Sequence, residues 1–211
     1  MSQARILTSR EYRKVLIYIS SHRHASRNKA ILYASHLAGL RVGEISHLTI
    51  ADVLNEDGTI KDEVYLCADK TKGDRGRTVL IPQKLQEELH NYLSIRFRLK
   101  DLKAVSMTDT SRALFYSQRH PSAGFSPNTL AQLFHYLYKN AGLSGCSSHS
   151  GRRFFATKIA EAGTNPKVLQ NLLGHRNLQT TMRYVEVSPT MMRNAVELMS
   201  KKKSPFGDLN Y

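Results

Sequence analysis

The chain of 211 residues has no tryptophan, only two cysteines and six prolines, and it is short of acidic side chains. Cys67 and Cys146 stand far apart and form no Cys-x-x-Cys pattern, which excludes a disulfide framework and a thiolate zinc finger. They read as small, semi-buried residues of a reduced cytosolic protein. Histidines such as His22 and His24 have no cysteine close by, so they read as surface residues rather than structural metal ligands. No uncharged apolar run approaches the roughly 20 residues of a membrane span, and no signal-peptide pattern opens the chain. The acidic shortage is the telling one: 17 Asp and Glu face 31 Lys and Arg, a formal charge of +14. Such an excess favours a polyanionic partner, and without a membrane segment nucleic acid is favoured over an anionic bilayer.

What remains is ordinary for a globular protein, with 41% hydrophobic and 23% charged residues and enough length for one large domain or two small ones. The pattern is mainly α with a small antiparallel β-hairpin. Thr8 and Glu11 resemble a capping box ahead of Tyr12, Val15, Leu16 and Ile19. Ser26 starts a second helix through Ile31, Leu32, Ala34 and Leu37 that ends at Gly39. A short helix from Gly43 to Leu48 follows. Alternation in residues 63–67 and β-branched residues in 78–81 predict two strands, with 69–77 as an exposed, basic hairpin tip. Pro82 and Gln83 open a helix to Ile95, residues 99–109 read as irregular, and 114–116 as a short edge strand or packed loop. Pro127 opens a helix running to Ala141. Ser147 or Ser148 is expected to cap a helix reaching Ala162, and Asn165-Pro166 begins one ending at Gly174. Short helices are expected at 178–184 and 189–199. Residues 1–200 form one catalytic unit in this reading, and 201–211 a polar tail.

Several residues have the chemistry to hold and cleave a phosphodiester. His149 and Arg152 are three apart, on one helix face; with a serine cap both fall in the first turn, where free amides favour an anion. Arg41 lies between two helix signals, with Glu44 three residues on to orient it. Lys72 sits on the hairpin tip, where an ammonium can protonate a leaving alkoxide; Lys70, Arg75 and Arg77 compete for that role. His175, directly after Gly174, can hydrogen-bond a phosphate oxygen or move a proton near neutral pH. Tyr184 is one tyrosine of ten, and as a nucleophile it needs positive charge or a base beside it. Taken singly, each has an ordinary surface or structural reading beside the functional one.

In combination, AGLRVGEISHL, TKGDRGRTVLIP, HSGRRFFATKIAEAG and LGHRNLQTTMRY resemble the catalytic domain of the tyrosine recombinases, the phage-integrase family, from about residue 5 to about residue 200. The resemblance implies the DNA breaking–rejoining fold of that family. It implies that Arg41, His149 and Arg152 bind the scissile phosphate, that His175 assists, that Lys72 protonates the leaving 5′ oxygen, and that Tyr184 forms a 3′-phosphotyrosyl bond. Glu44 takes the family's supporting acidic position. It further implies double-stranded DNA as partner, no metal or other cofactor, and a homo-oligomer, tetrameric on DNA, alongside accessory DNA-bending proteins. A cytoplasmic, nucleoid-associated protein of a bacterium or mobile element is expected. Met191, Met192, Val196, Leu198 and Met199 supply a candidate docking face for a neighbouring protomer.

Two departures stand out. Many members carry an N-terminal helical clamp domain that is missing here; either it was removed, or this is a compact standalone form like the fimbrial-switch invertases, which the opening Met1 favours. Gly151 also replaces a better helix former at a nominal cost of roughly 1 kcal/mol. Two alternatives to a recombinase stay open: a type IB topoisomerase-like nicking and resealing enzyme, and a DNA-binding regulator that kept the fold without the activity.

Overall fold

A computed structural model describes residues 4–67, 76–108, 110–118 and 124–201, the last four by backbone alone. Lys72, Lys70, Arg75 and the tail beyond Lys201 lie outside the described residues. Helix α1 (Ser9–Ser20) opens on the expected capping box: Thr8 Oγ1 accepts from Glu11 N at 3.2 Å, and the Glu11 carboxylate accepts from Thr8 N at 2.9 Å. Helix α2 (Ala25–Leu37) starts one residue earlier than expected, because His24 adopts a left-handed conformation (φ 61°, ψ 31°) and turns the chain into the helix. Ala30, Ile31, Leu32, Tyr33 and Ala34 are all buried, so α2 is apolar around its circumference and runs through the middle of the core.

Helix α3 (Val42–His47) follows, and then α4 (Ile50–Val53), a single turn absent from the sequence reading. Thr49 and Asp52 cap α4 reciprocally, a signal too short to give helical periodicity. Strands β1 (Glu63–Leu66) and β2 (Arg77–Leu80) pair antiparallel, with Val64 opposite Val79. In β1 the exposed and buried residues alternate as the pattern predicted. Arg77 is a correction: it belongs to β2 rather than to an exposed tip, and its side chain is only 9% exposed. Cys67 is exposed and Cys146 buried, so neither is semi-buried.

Helix α5 (Gln83–Phe97) packs along α2, burying Leu85, Leu89, Tyr92 and Leu93. The segment expected to be irregular contains the short α6 (Lys103–Ser106), and Leu114 and Phe115 are buried in a packed loop. Helix α7 (Pro127–Asn140) begins at a Ser126 cap and buries Leu130, Phe134, Leu137 and Tyr138. Helix α8 (Ser150–Glu161) differs from expectation at its start, where His149 itself is the N-cap and neither Ser147 nor Ser148 caps it. The Ser150 hydroxyl instead accepts from Ser147 N at 3.0 Å, tightening the entry turn.

Gly151 is what lets α8 lie on α2. A Cβ at this position would come within 2.3 Å of Ser35 Oγ and 2.7 Å of His36 Nδ1. The glycine that looked like a loss of helix propensity is a requirement of close packing. Helices α9 (Pro166–Leu173), α10 (Leu178–Met182) and α11 (Pro189–Lys201) complete the chain. Leu169 and Leu173 of α9 join Ala156 of α8 in a small second core, against which Tyr184 and Val185 pack. Among the described residues no helix is long and apolar enough to cross a membrane.

Candidate active site

The turn after α2 aims the first arginine. Arg41 is the N-cap of α3, in an extended conformation, and its backbone N–H donates to Glu44 Oε2 at 2.7 Å. Its guanidinium donates from Nη1 to Glu44 Oε1 at 2.7 Å and from Nη2 to the Leu173 carbonyl at 3.5 Å. Glu44 is 1% exposed, and Arg77 also forks across it, Nη2 to Oε2 at 2.8 Å and Nε to Oε1 at 3.3 Å. Burial pushes the Glu44 carboxyl upward, yet Arg77, with Arg152 and Arg41 adding their charge, holds it below the usual carboxylate range.

Arg152 projects from the first turn of α8 into the space between α2 and α9. Its guanidinium donates to the carbonyls of Gly39 and Leu173, while its Nε is buried with no partner. Burial, and then repulsion from Arg41 and Arg77, draws it down to about 9. Arg152 also donates from Nη2 to His175 Nε2 at 3.1 Å. Because arginine only donates, that nitrogen of His175 must hold a lone pair, and the proton sits on Nδ1, facing Thr181 Oγ1 at 3.0 Å.

His175 is set by the end of α9. Gly174 (φ 62°) takes a left-handed conformation, and a Cβ there would reach 2.3 Å from Arg77 Cδ. The His175 N–H then donates to the Gln170 carbonyl at 3.1 Å, and Gln170 Nε2 returns a bond to the His175 carbonyl at 2.9 Å. Burial first, and then the charges of Arg152, Arg41 and Arg77, push the imidazole down to about 4. The imidazole is therefore neutral at pH 7 and well below it.

Tyr184 lies against this pair. Its ring centroid is 5.1 Å from that of His175, and the Arg152 Cζ is 5.7 Å from the ring centre. Thr157 on α8 holds the tyrosine's backbone, with its Oγ1 donating to the Tyr184 carbonyl and accepting from Glu186 N, both at 3.3 Å.

Four of the expected site residues, Arg41, Arg152, His175 and Tyr184, are thus gathered around Glu44 and the end of α9. His149 stands exposed at the N-cap of α8, three residues before Arg152. Arg77, Thr157, Gln170 and Thr181 complete the arrangement, and the sequence reading assigned none of them these contacts. Among the described residues three guanidiniums surround a single carboxylate, which leaves a surplus of fixed positive charge suited to an anion.

The phage integrase family model matches residues 5–191 of this sequence. The chain belongs to the phage integrase family. Among its relatives within that family, the tyrosine recombinase XerA of Pyrococcus furiosus is 33% identical over 192 residues, covering 90% of this chain and 60% of that protein. The tyrosine recombinase XerC of Thermodesulfovibrio yellowstonii is 31% identical over 176 residues, covering 83% and 54%. The integrase-family chain therefore spans little more than half the length of these relatives. In fold it is similar to a crystal structure of XerA recombinase, with a TM-score of 0.72 at 24% identity, covering 96% of this chain and 65% of that one. It is also similar to XerH site-specific recombinase bound to a palindromic difH substrate in a post-cleavage complex, with a TM-score of 0.69 at 22% identity, covering 93% and 53%. The helical architecture with its two-stranded antiparallel sheet is that of the integrase catalytic domain.

Proposed function

We propose that this chain is a site-specific DNA recombinase that cleaves and rejoins duplex DNA through Tyr184. The observation that carries the reading is the packing of Tyr184 against His175 and Arg152, inside a cluster where cations outnumber the one carboxylate. In this reading a scissile phosphate takes the place facing Arg41 and Arg152, with His149 at its edge. The Tyr184 oxygen attacks phosphorus, the bond to the 5′ oxygen breaks, and the tyrosine proton leaves as the new bond forms. The guanidiniums stabilise the charge of the pentavalent transition state. His175 assists by holding the Arg152 guanidinium through its Nε2 lone pair, the tyrosine proton passes to solvent, and Lys72 is assigned the proton given to the 5′ oxygen on resemblance alone. Attack by a 5′-hydroxyl from a partner strand reverses the step. One phosphodiester replaces another, so no external energy source is required.

Duplex DNA as the partner is supported by the +14 charge and by family membership. A homo-oligomer is supported by α11, whose Met192 and Val196 are 57% and 72% exposed and available to a second copy; the tetramer on two duplexes rests on the family resemblance alone.

The test is a nicked suicide substrate from which the cleaved end diffuses away. Wild-type protein is expected to accumulate a covalent adduct at Tyr184. Tyr184→Phe is expected to bind the same DNA and give none. Exchange between two sites on one plasmid would separate recombination from nicking and resealing. A wild-type protein that binds DNA but forms no adduct would make the chain a regulator.

A further inference from the structure

We infer that Arg77 is a positioning residue that keeps Arg41 free for the phosphate by taking the larger share of Glu44. The inference rests on the recombinase reading of the same site.

From the described residues Glu44 accepts four hydrogen bonds, which is the full capacity of a carboxylate. Two come from Arg77 and two from Arg41, one of these through the Arg41 backbone. The Arg41 guanidinium therefore reaches Glu44 through Nη1 alone, and among the described residues its Nη2 has only a long contact to Leu173 O. Arg77, by contrast, commits all three guanidinium nitrogens to protein acceptors, since Nη1 donates to the Leu172 carbonyl at 2.7 Å. Each of its nitrogens is held by the protein, and its side chain is 9% exposed against 24% for that of Arg41.

Removing Arg77 would uncover one lone pair on each Glu44 oxygen, beside an arginine with donors to spare. Arginine and carboxylate prefer the two-bond fork. Arg41 would close onto Glu44, and the surplus charge of the cluster would fall by one. A purely structural role, tying β2 to α3 and α9, predicts something different. In that case the rates follow thermal stability across the variants, because an unpaired buried Glu44 destabilises Arg77→Ala and its neutralisation relieves that strain.

The experiment compares Arg77→Ala, Arg77→Lys, Glu44→Gln and the Glu44→Gln/Arg77→Ala double variant, with thermal unfolding of each recorded. On the nicked substrate at saturating DNA, Arg77→Ala is expected to slow adduct formation by about 10²-fold, as for loss of a transition-state stabilising donor. Arg77→Lys keeps the charge without the fork and is expected to lose about tenfold. The double variant is expected to react about tenfold faster than Arg77→Ala, because a neutral amide in place of the Glu44 carboxylate no longer captures Arg41. A double variant no faster than Arg77→Ala overturns the inference, as does Arg77→Ala at the wild-type rate.

A second arm does not require cleavage. Inorganic phosphate is titrated onto each protein and followed through the His175 ring resonances. Arg77→Ala is expected to weaken phosphate binding and the double variant to recover it; no recovery again overturns the inference. A wild-type protein without an adduct would sink the recombinase reading, while this phosphate arm would still judge Arg77.

Discussion

The guanidinium of Arg152 donates to Nε2 of His175, and this one bond determines both the charge and the tautomer of the imidazole. A protonated ring would present an N–H to a donor that has no acceptor. Thr181 on the other side accepts the Nδ1 proton, so the ring is held at both nitrogens.

The first prediction concerns pH. His175 and His36 are both drawn down to about 4, His175 by burial and then by its arginine neighbours, His36 by complete burial. An unfolded histidine titrates near 6.5. Between about pH 6.5 and pH 4 the unfolded chain therefore binds protons that the folded protein refuses, and stability falls as the pH is lowered through that window. Above it these two residues contribute no pH dependence. Urea midpoints at pH 7.5 and 4.5 are expected to show the loss. An NMR titration of DNA-free protein should place the His175 midpoint far below neutrality, and a midpoint near 6.5 would contradict the assignment.

Gly151→Ala separates propensity from packing. Helix propensity alone predicts a gain of roughly 1 kcal/mol. The contacts that a Cβ would make with Ser35 and His36 predict a loss of about 1–3 kcal/mol through overpacking. Denaturant unfolding reads the sign directly, and a stabilised variant would mean that α2 and α8 can separate easily.

Thr157→Val tests how the tyrosine is held. The change is close to isosteric and removes the hydroxyl that bridges Tyr184 O and Glu186 N. Adduct formation is expected to slow by about tenfold through loss of orientation, with DNA affinity unchanged. Thr157→Ser should restore the rate. Equal rates for the valine and serine variants would remove Thr157 from the arrangement.

Much of the helical architecture was legible because it rests on local signals. Thr8 with Glu11, Ser126 with Pro127, and Asn165 with Pro166 each mark a helix start through groups only a few residues apart. The readings that failed depended on distant neighbours. A cap at Ser147 or Ser148 was plausible on residue type, but the Ser150 hydroxyl took the entry turn and left His149 at the cap. Arg77 looked like one more cation of a hairpin tip, because its partners Glu44 and Leu172 lie 33 and 95 residues away in the chain.

The sequence by itself determined the class of chemistry: a large cationic surplus, and arginines, histidines and a tyrosine in motifs that resemble one family. Those are properties of residue type and spacing, and both are written along the chain. Only the tertiary structure decided what each group can do. Burial beside three guanidiniums drew the His175 imidazole down to about 4, the close approach of α8 to α2 turned Gly151 from a weakness into a requirement, and a shared carboxylate joined Arg77 to Arg41. Electrostatic potential and steric contact depend on distance in space, and folding brings together residues that the sequence keeps far apart.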